Sequence, residues 1–118
     1  EVLVAAFVLT DREVLEALLQ ARRRGAEVKV LLETRNLGTS REEALLDGGL
    51  EVRQDANPYT MHHKVIVLDG TYVVTGSYNF SARAHEVNNE NLLVLKSPSL
   101  AERYRKEVLR LWEAGSPL

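Results

Sequence analysis

Six residues of this chain have types and spacing suited to chemistry on phosphorus. His62, Lys64 and Asp69 fall in the run H-H-K-V-I-V-L-D, and Gly76, Ser77 and Asn79 in the run G-S-Y-N that follows. At roughly 5% usage per residue type, a chance match to the whole spacing is on the order of one in a million. His62 and Lys64 stand two apart in a strand-like run, so they share one face. Asp69-Gly70 predicts a two-residue hairpin turn. Such a turn pairs His62 with Ser77 and Lys64 with Thr75, with Asn79 two residues beyond Ser77. Imidazole, ammonium, hydroxyl and carboxamide then meet on one patch, and glycine at 76 lets the backbone approach a phosphate closely. A nucleophile, a cation and neutral donors are what displacement at a phosphodiester needs. Asp69 has the opposite parity to His62 and sits in the turn, so it reads as structural.

The elements that must hold these residues alternate. Val2 to Leu9 is apolar and Val-rich and predicts a buried strand. Thr10 with Glu13 forms a capping box that opens a helix, with Val14, Leu15, Leu18 and Ala21 as its apolar stripe and Gly25 as its stop. Val28 to Leu32 and Leu50 to Arg53 read as strands around a short helix opened by Ser40 with Glu43. This β-α-β-α-β order implies parallel strands with helical crossovers. Asp55 to Thr60 is a loop, Met61 to Leu68 a strand, Thr71 to Thr75 its return strand, and residues 76–89 an irregular polar segment. Asn91 to Leu95 is one more strand, and Ser99 with Glu102 opens a final helix to Ala114. The predicted fold is α/β: a mixed sheet flanked by helices, with one domain over residues 1–118 and one motif per chain.

The pattern H-x-K-x4-D-x6-G-S-x-N resembles the signature of the phospholipase D superfamily, and the spacing matches throughout. The resemblance extends to the opening strand, the T-D-R-E helix, the R-G-A-E-V-K-V-L-L strand and the stretch N-N-E-N-L-L-V-L at 88–95. It implies an α-β-α sandwich, cleavage of phosphodiester bonds without metal or other cofactor, and His62 as the nucleophile of a phosphohistidine intermediate. A second histidine must protonate the leaving oxygen and then activate water. The chain has no second H-x-K, so the resemblance implies a homodimer that brings two copies of His62, Lys64 and Asn79 together at a two-fold axis. It also implies that Glu90 holds a nucleophilic imidazole by a hydrogen bond, without saying which subunit's. Similarity to bacterial single-motif endonucleases favours nucleic acid as substrate. A phospholipid hydrolase or transferase of cardiolipin type is the alternative, and a non-catalytic lobe of a larger two-motif assembly is a third reading.

Composition bounds these readings. With 118 residues, 45% hydrophobic and 27% charged, the chain is ordinary for one globular domain. It has no cysteine, which excludes disulfides and thiolate metal sites. A net charge of −2 argues against indiscriminate nucleic-acid binding. The cluster Arg22–Arg24 reads as a solvated helix C-terminus, while Arg53 and Arg83 lie nearer the motif. The apolar run 2–9 is too short to span a bilayer, so no stable membrane insertion is expected. No signal segment is visible and the chain opens at Glu1 within a strand, which implies an N-terminal truncation and leaves the compartment open.

Other polar and aromatic residues have plainer readings. Ser77 lacks the nucleophile-elbow pattern G-x-S-x-G and reads as a supporting donor. His63 points away from His62 and suits packing or support. A metal site of His62, His63, His85 and Glu90 is disfavoured by the neighbouring Lys64. His85 reads as exposed or as lining the cleft. Tyr59 and Tyr78 suit either base stacking or ordinary packing, and Trp112 suits the core or a dimer surface.

Overall fold

In the computed structural model, residues 1–77, 79–81 and 89–118 are described. Tyr78, Arg83 and His85 lie outside the described residues. Among those described, seven strands form one mixed sheet: β1 (Val2–Ala6), β2 (Val28–Leu32), β3 (Glu51–Gln54), β4 (Lys64–Leu68), β5 (Tyr72–Gly76), β6 (Leu92–Lys96) and β7 (Ser116–Pro117). Their order across the sheet is β6-β5-β4-β1-β2-β3-β7. β1 pairs in parallel with β2, and β2 with β3. β4 runs antiparallel to β1, β5 to β4 and β6 to β5. The predicted mixed α/β sheet flanked by helices is therefore the fold observed.

Side-chain alternation divides the core into two layers. Val2, Val4 and Ala6 of β1 face one side, with Val28, Val30 and Leu32, under α1 (Arg12–Arg23) and α2 (Glu42–Asp47). Leu3 and Ala5 face the other side, with Val65, Val67 and Val73, under α3 (Pro98–Ala114). Ala101, Val108 and Trp112 of α3 are buried there, so Trp112 is core. Its ring also lies under the Arg53 guanidinium at 4.7 Å, and Arg53 Nη1 donates to the Trp112 carbonyl at 2.8 Å. Arg53 is thus committed to packing. Arg22 and Arg23 occupy the last turn of α1, where their charge complements the helix dipole.

The structure corrects several local expectations. None of the three capping boxes forms as predicted. The α1 cap is Asp11, whose Oδ1 accepts from Glu13 and Val14 N–H at 2.8 and 3.3 Å; a carboxylate nearer the first turn displaces the Thr10 hydroxyl. Ser40 does not cap α2, because its buried hydroxyl accepts from Leu9 N–H at 3.3 Å, and Arg41 is the cap residue without a side-chain bond. α3 is capped by Ser97, not Ser99, since Pro98 takes the first helical position, where a missing N–H costs nothing. The strands at either end of the motif are also shorter than expected. β1 stops at Ala6, and β4 begins at Lys64 instead of Met61.

The hairpin register differs as well. Asp69 and Gly70 both have positive φ, 53° and 60°, and Thr71 N–H closes the turn on the Leu68 carbonyl at 2.9 Å. The ladder, however, pairs Leu68 with Tyr72, Val67 with Val73 and Ile66 with Val74. Thr71 is an extra residue, and its carbonyl instead accepts from Ser97 N–H at 2.9 Å. Carried along the strands, this register sets Gly76, not Thr75, level with Lys64. It also removes the predicted pairing of Ser77 with His62. Among the described residues no helix is long and apolar enough to cross a membrane.

Candidate active site

The site lies at the carboxyl ends of the parallel strands, where α/β sheets commonly bind ligands. Lys64 opens β4 opposite Ala6, the last residue of β1, while Leu68 lies opposite Val2 at the other end. A cleft of about 600 Å³ at this end is lined by His62, His63, Lys64, Gly76, Ser77 and Asn79, with Tyr104 of α3. Another depression, of about 490 Å³, sits against α2 and includes Glu42, Glu43 and Asp47, a poor host for a phosphodiester.

Lys64 is 9% exposed, and its ammonium is packed with the imidazole of His62. Nζ lies 2.9 Å from Nδ1 and 3.2 Å from Nε2 of His62, and donates to the His62 carbonyl at 2.9 Å. Burial pushes the Lys64 pKa down from its ordinary value, and the negative charge of Glu90 opposes that shift. The cation is therefore partly stripped of water, which strengthens its pull on any anion entering the cleft. Exposed His62 rests on the ring of Phe7, with centroids 4.6 Å apart and planes tilted by 57°. The Lys64 ammonium sits over the same ring at 5.4 Å. Phe7 can do this because β1 has ended: its N–H donates to the His63 carbonyl at 2.9 Å, and its carbonyl accepts from Asn36 Nδ2 at 2.7 Å. Sequence periodicity had assigned Phe7 to the strand and gave no sign of this contact.

Ser77 and Glu90 form a second cluster. Ser77 Oγ donates to Glu90 Oε1 at 2.8 Å and accepts from Asn91 N–H at 3.1 Å. Ser77 N–H donates to Asn91 Oδ1 at 3.0 Å. The serine proton expected to face phosphate is thus engaged by Glu90. The Glu90 carboxylate, expected on an imidazole, is held by Ser77, and no bond to His62 of its own chain occurs among the described residues. The fold gives Gly76, which lines the cleft, a steric reason of its own. Its φ is 147°, and a Cβ there would collide with the Asn91 carbonyl oxygen at the start of β6.

Asn79 lines the cleft, and its Oδ1 is buried with no hydrogen-bond partner among the described residues. A buried amide oxygen without a partner carries a desolvation cost, and half a turn about the last side-chain bond would bring the NH2 group there to face a phosphate oxygen. The next residue, Phe80, is 2% exposed and anchors this segment. Its carbonyl accepts from Thr10 and Asp11 N–H at 2.7 and 2.8 Å.

Asp69 stands apart from all of this. Four residues of strand separate Lys64 from Leu68, about 13 Å at the usual rise, and Asp69 lies beyond. There its Oδ1 accepts from the Glu1 nitrogen at 2.7 Å, and its own N–H donates to the Glu1 carbonyl at 2.8 Å. His63 lines the cleft and meets Glu107 of α3 at 3.6 Å. Glu107 titrates lower than usual, chiefly because Arg110 hydrogen-bonds it.

Comparison with known proteins gives a consistent picture. A family model described as "Cardiolipin synthase, PLD-like domain" matches residues 1–112. The chain is 34% identical over 116 residues to mitochondrial cardiolipin hydrolase of Xenopus laevis, covering 97% of this chain and 55% of that protein. It is 39% identical over 101 residues to phospholipase D of Rickettsia bellii, covering 84% of this chain and 50% of that protein. The chain thus spans about half the length of the curated relatives it matches. Among solved structures, Nuc of Salmonella typhimurium, a phospholipase D family member, superposes with a TM-score of 0.92 at 32% identity, over 99% of this chain and 80% of that one.

Proposed function

The chain belongs to the phospholipase D-like family, and from that premise we propose that it is a metal-independent phosphodiesterase. On this reading it acts by preference on nucleic acid, through a phosphohistidine, in a site completed by a second copy of the chain. The observation that carries the reading is the pairing of the His62 imidazole with the buried Lys64 ammonium at 2.9 Å, inside a cleft that also holds Asn79, whose amide oxygen has no partner among the described residues.

A ring nitrogen of His62 attacks phosphorus, forming the N–P bond as the P–O bond to the leaving group breaks. Lys64 and Asn79 hold the non-bridging oxygens, where charge builds up in the transition state. His62 of the partner subunit gives its proton to the leaving oxygen. It then takes a proton from the water that attacks phosphorus and breaks the N–P bond. Glu90, whose Oε1 is engaged by Ser77, steadies one of the two imidazoles through its other oxygen.

Two features support the shared site. The chain carries one motif where the reaction needs two histidines. In addition, β6 is an edge strand with no outer neighbour among the described residues, and it exposes Leu92, Leu93 and Val94 at 46%, 50% and 64%. Such a surface begins two residues after Glu90 and suits burial against another copy. The preference for nucleic acid rests on the similarity of the single-motif pattern to bacterial single-motif endonucleases. The lipid reading rests on the relatives named cardiolipin hydrolase and phospholipase D.

The deciding experiment is cleavage of labelled single-stranded DNA at low salt with EDTA present, comparing wild type with His62→Ala and recording sedimentation. Cleavage by a wild-type dimer, lost in a folded His62→Ala, is expected. A strict metal requirement, a fully active monomer or an active His62→Ala would each overturn the mechanism. Turnover of cardiolipin without turnover of DNA would instead favour the lipid reading.

A further inference from the structure

We infer that Tyr59 is a fixed stacking platform for a nucleobase beside the scissile phosphate, so that the loop 55–60 sets substrate preference. The inference rests on the nucleic-acid reading above and goes beyond it, since it commits Tyr59 to base stacking where its residue type alone allows ordinary packing equally.

Tyr59 is 79% exposed, the highest value among the exposed large hydrophobics of the described residues. An aromatic on a loose loop would lose on ordering most of what stacking gains. The loop under Tyr59 is laced at every step. Tyr59 N–H donates to Asn57 Oδ1 at 2.8 Å, and Asn57 Nδ2 returns to the Thr60 carbonyl at 3.1 Å. Asn57 N–H donates to Asp55 Oδ2 at 3.0 Å. Asp55 is buried and accepts from Thr34 N–H at 2.8 Å through its other oxygen. Arg35 donates to the Pro58 carbonyl at 3.1 Å and to Thr60 Oγ1 at 3.2 Å. Pro58 removes a further backbone freedom.

The position is also suitable. Tyr59 and His62 are three residues apart, so their Cα atoms are within about 11 Å. The short 3₁₀ turn Thr34–Asn36 links both: Arg35 holds the loop, and Asn36 holds the Phe7 carbonyl behind His62. The platform and the nucleophile therefore share one support. Arg35 is exposed and two of its five N–H donors bond the loop, at Pro58 and Thr60, so it adds positive charge on either side of Tyr59 in the chain. The neighbours Asn57, Pro58 and Thr60 supply no second aromatic or aliphatic anchor of the kind that holds a protein on a bilayer.

The test compares wild type, Tyr59→Ala and Tyr59→Phe on three substrates: a single-stranded oligonucleotide, the same strand with abasic sites around the cleavage position, and bis(p-nitrophenyl) phosphate. Tyr59→Ala should lower kcat/KM on the base-bearing strand roughly tenfold, through KM, as loss of one stacked base does. It should leave the other two substrates unchanged, and Tyr59→Phe should behave as wild type. Equal cleavage of the base-bearing strand by wild type and Tyr59→Ala would overturn the inference. So would an equal loss on all three substrates, which would make the loop a support for His62 alone. A loss of binding to cardiolipin–phosphatidylcholine vesicles, with DNA cleavage intact, would make Tyr59 a membrane contact instead. Turnover of the small diester without any DNA cleavage by wild type would remove the nucleic-acid reading itself, a result distinct from the others.

Discussion

The two ends of β4 carry residues of one sequence motif in unlike surroundings. At the end near Asp69, polar groups are satisfied and open to water: the carboxylate side chain is 77% exposed and bonds the backbone of Glu1. At the end near Lys64, an ammonium is buried, an imidazole leans on an aromatic ring, and an amide oxygen has no partner among the described residues. The first end is arranged as folding favours. The second carries costs that folding alone does not explain, and an anionic ligand would relieve that of the ammonium. A single motif therefore combines a turn signal and a candidate reaction site, held apart by the length of one strand.

The largest expected effect tests the costly end. Lys64→Met should reduce turnover of a small phosphodiester by about 10²-fold or more, the usual loss when a charge-stabilising group is removed. It should also raise the melting temperature at neutral pH, because it removes a buried cation. The sign follows from the lowered folded-state pKa. Between that value and the ordinary lysine value of 10.5, the unfolded chain binds the extra proton, so wild-type stability rises with pH there. The advantage of the methionine variant should shrink over the same range. A melting temperature that falls at neutral pH would show that the two ends are not different in kind.

A smaller effect sharpens the description of the same end. Phe7→Leu keeps apolar bulk but loses the ring under His62 and Lys64, and such ring contacts are worth about 1 kcal/mol. A drop in kcat of about five- to tenfold is expected, with recovery in Phe7→Tyr. An unchanged kcat would mean that the imidazole is positioned without the ring. The smallest effect belongs to the other end. Asp69→Ala places an ordinary residue at a φ of 53° and should cost about 1–2 kcal/mol of stability in a denaturant titration. It should leave kcat per folded molecule unchanged. A selective loss of kcat would mean that the turn aspartate takes part in the reaction after all.

Which features were legible follows from the range of the forces involved. The strands and helices around the site came from local periodicity, and the sheet confirmed their types, as Val28–Leu32 illustrates. The caps failed because each is a competition between neighbouring acceptors. Asp11 outbids Thr10, Pro98 selects Ser97, and Ser40 is drawn to Leu9, thirty-one positions away. The hairpin turn was legible in Asp69-Gly70, but its register was not, since Thr71 is drawn out of the ladder by Ser97. Phe7, Arg35 and Asn91 went unnoticed as supports because their partners are far along the chain, and nothing in their own types announces the contact.

The sequence by itself determined the family and named the candidate groups, because an imidazole, an ammonium and an amide at fixed spacing are chemical identities that need no fold to be recognised. Only the tertiary structure decided how those groups are held. It engaged the Ser77 proton with Glu90, filled the space at Gly76 with the Asn91 carbonyl, and set Phe7 under His62 and Lys64. The physical reason is that hydrogen bonds and excluded volume act over a few ångströms in space, between residues that the sequence places tens of positions apart.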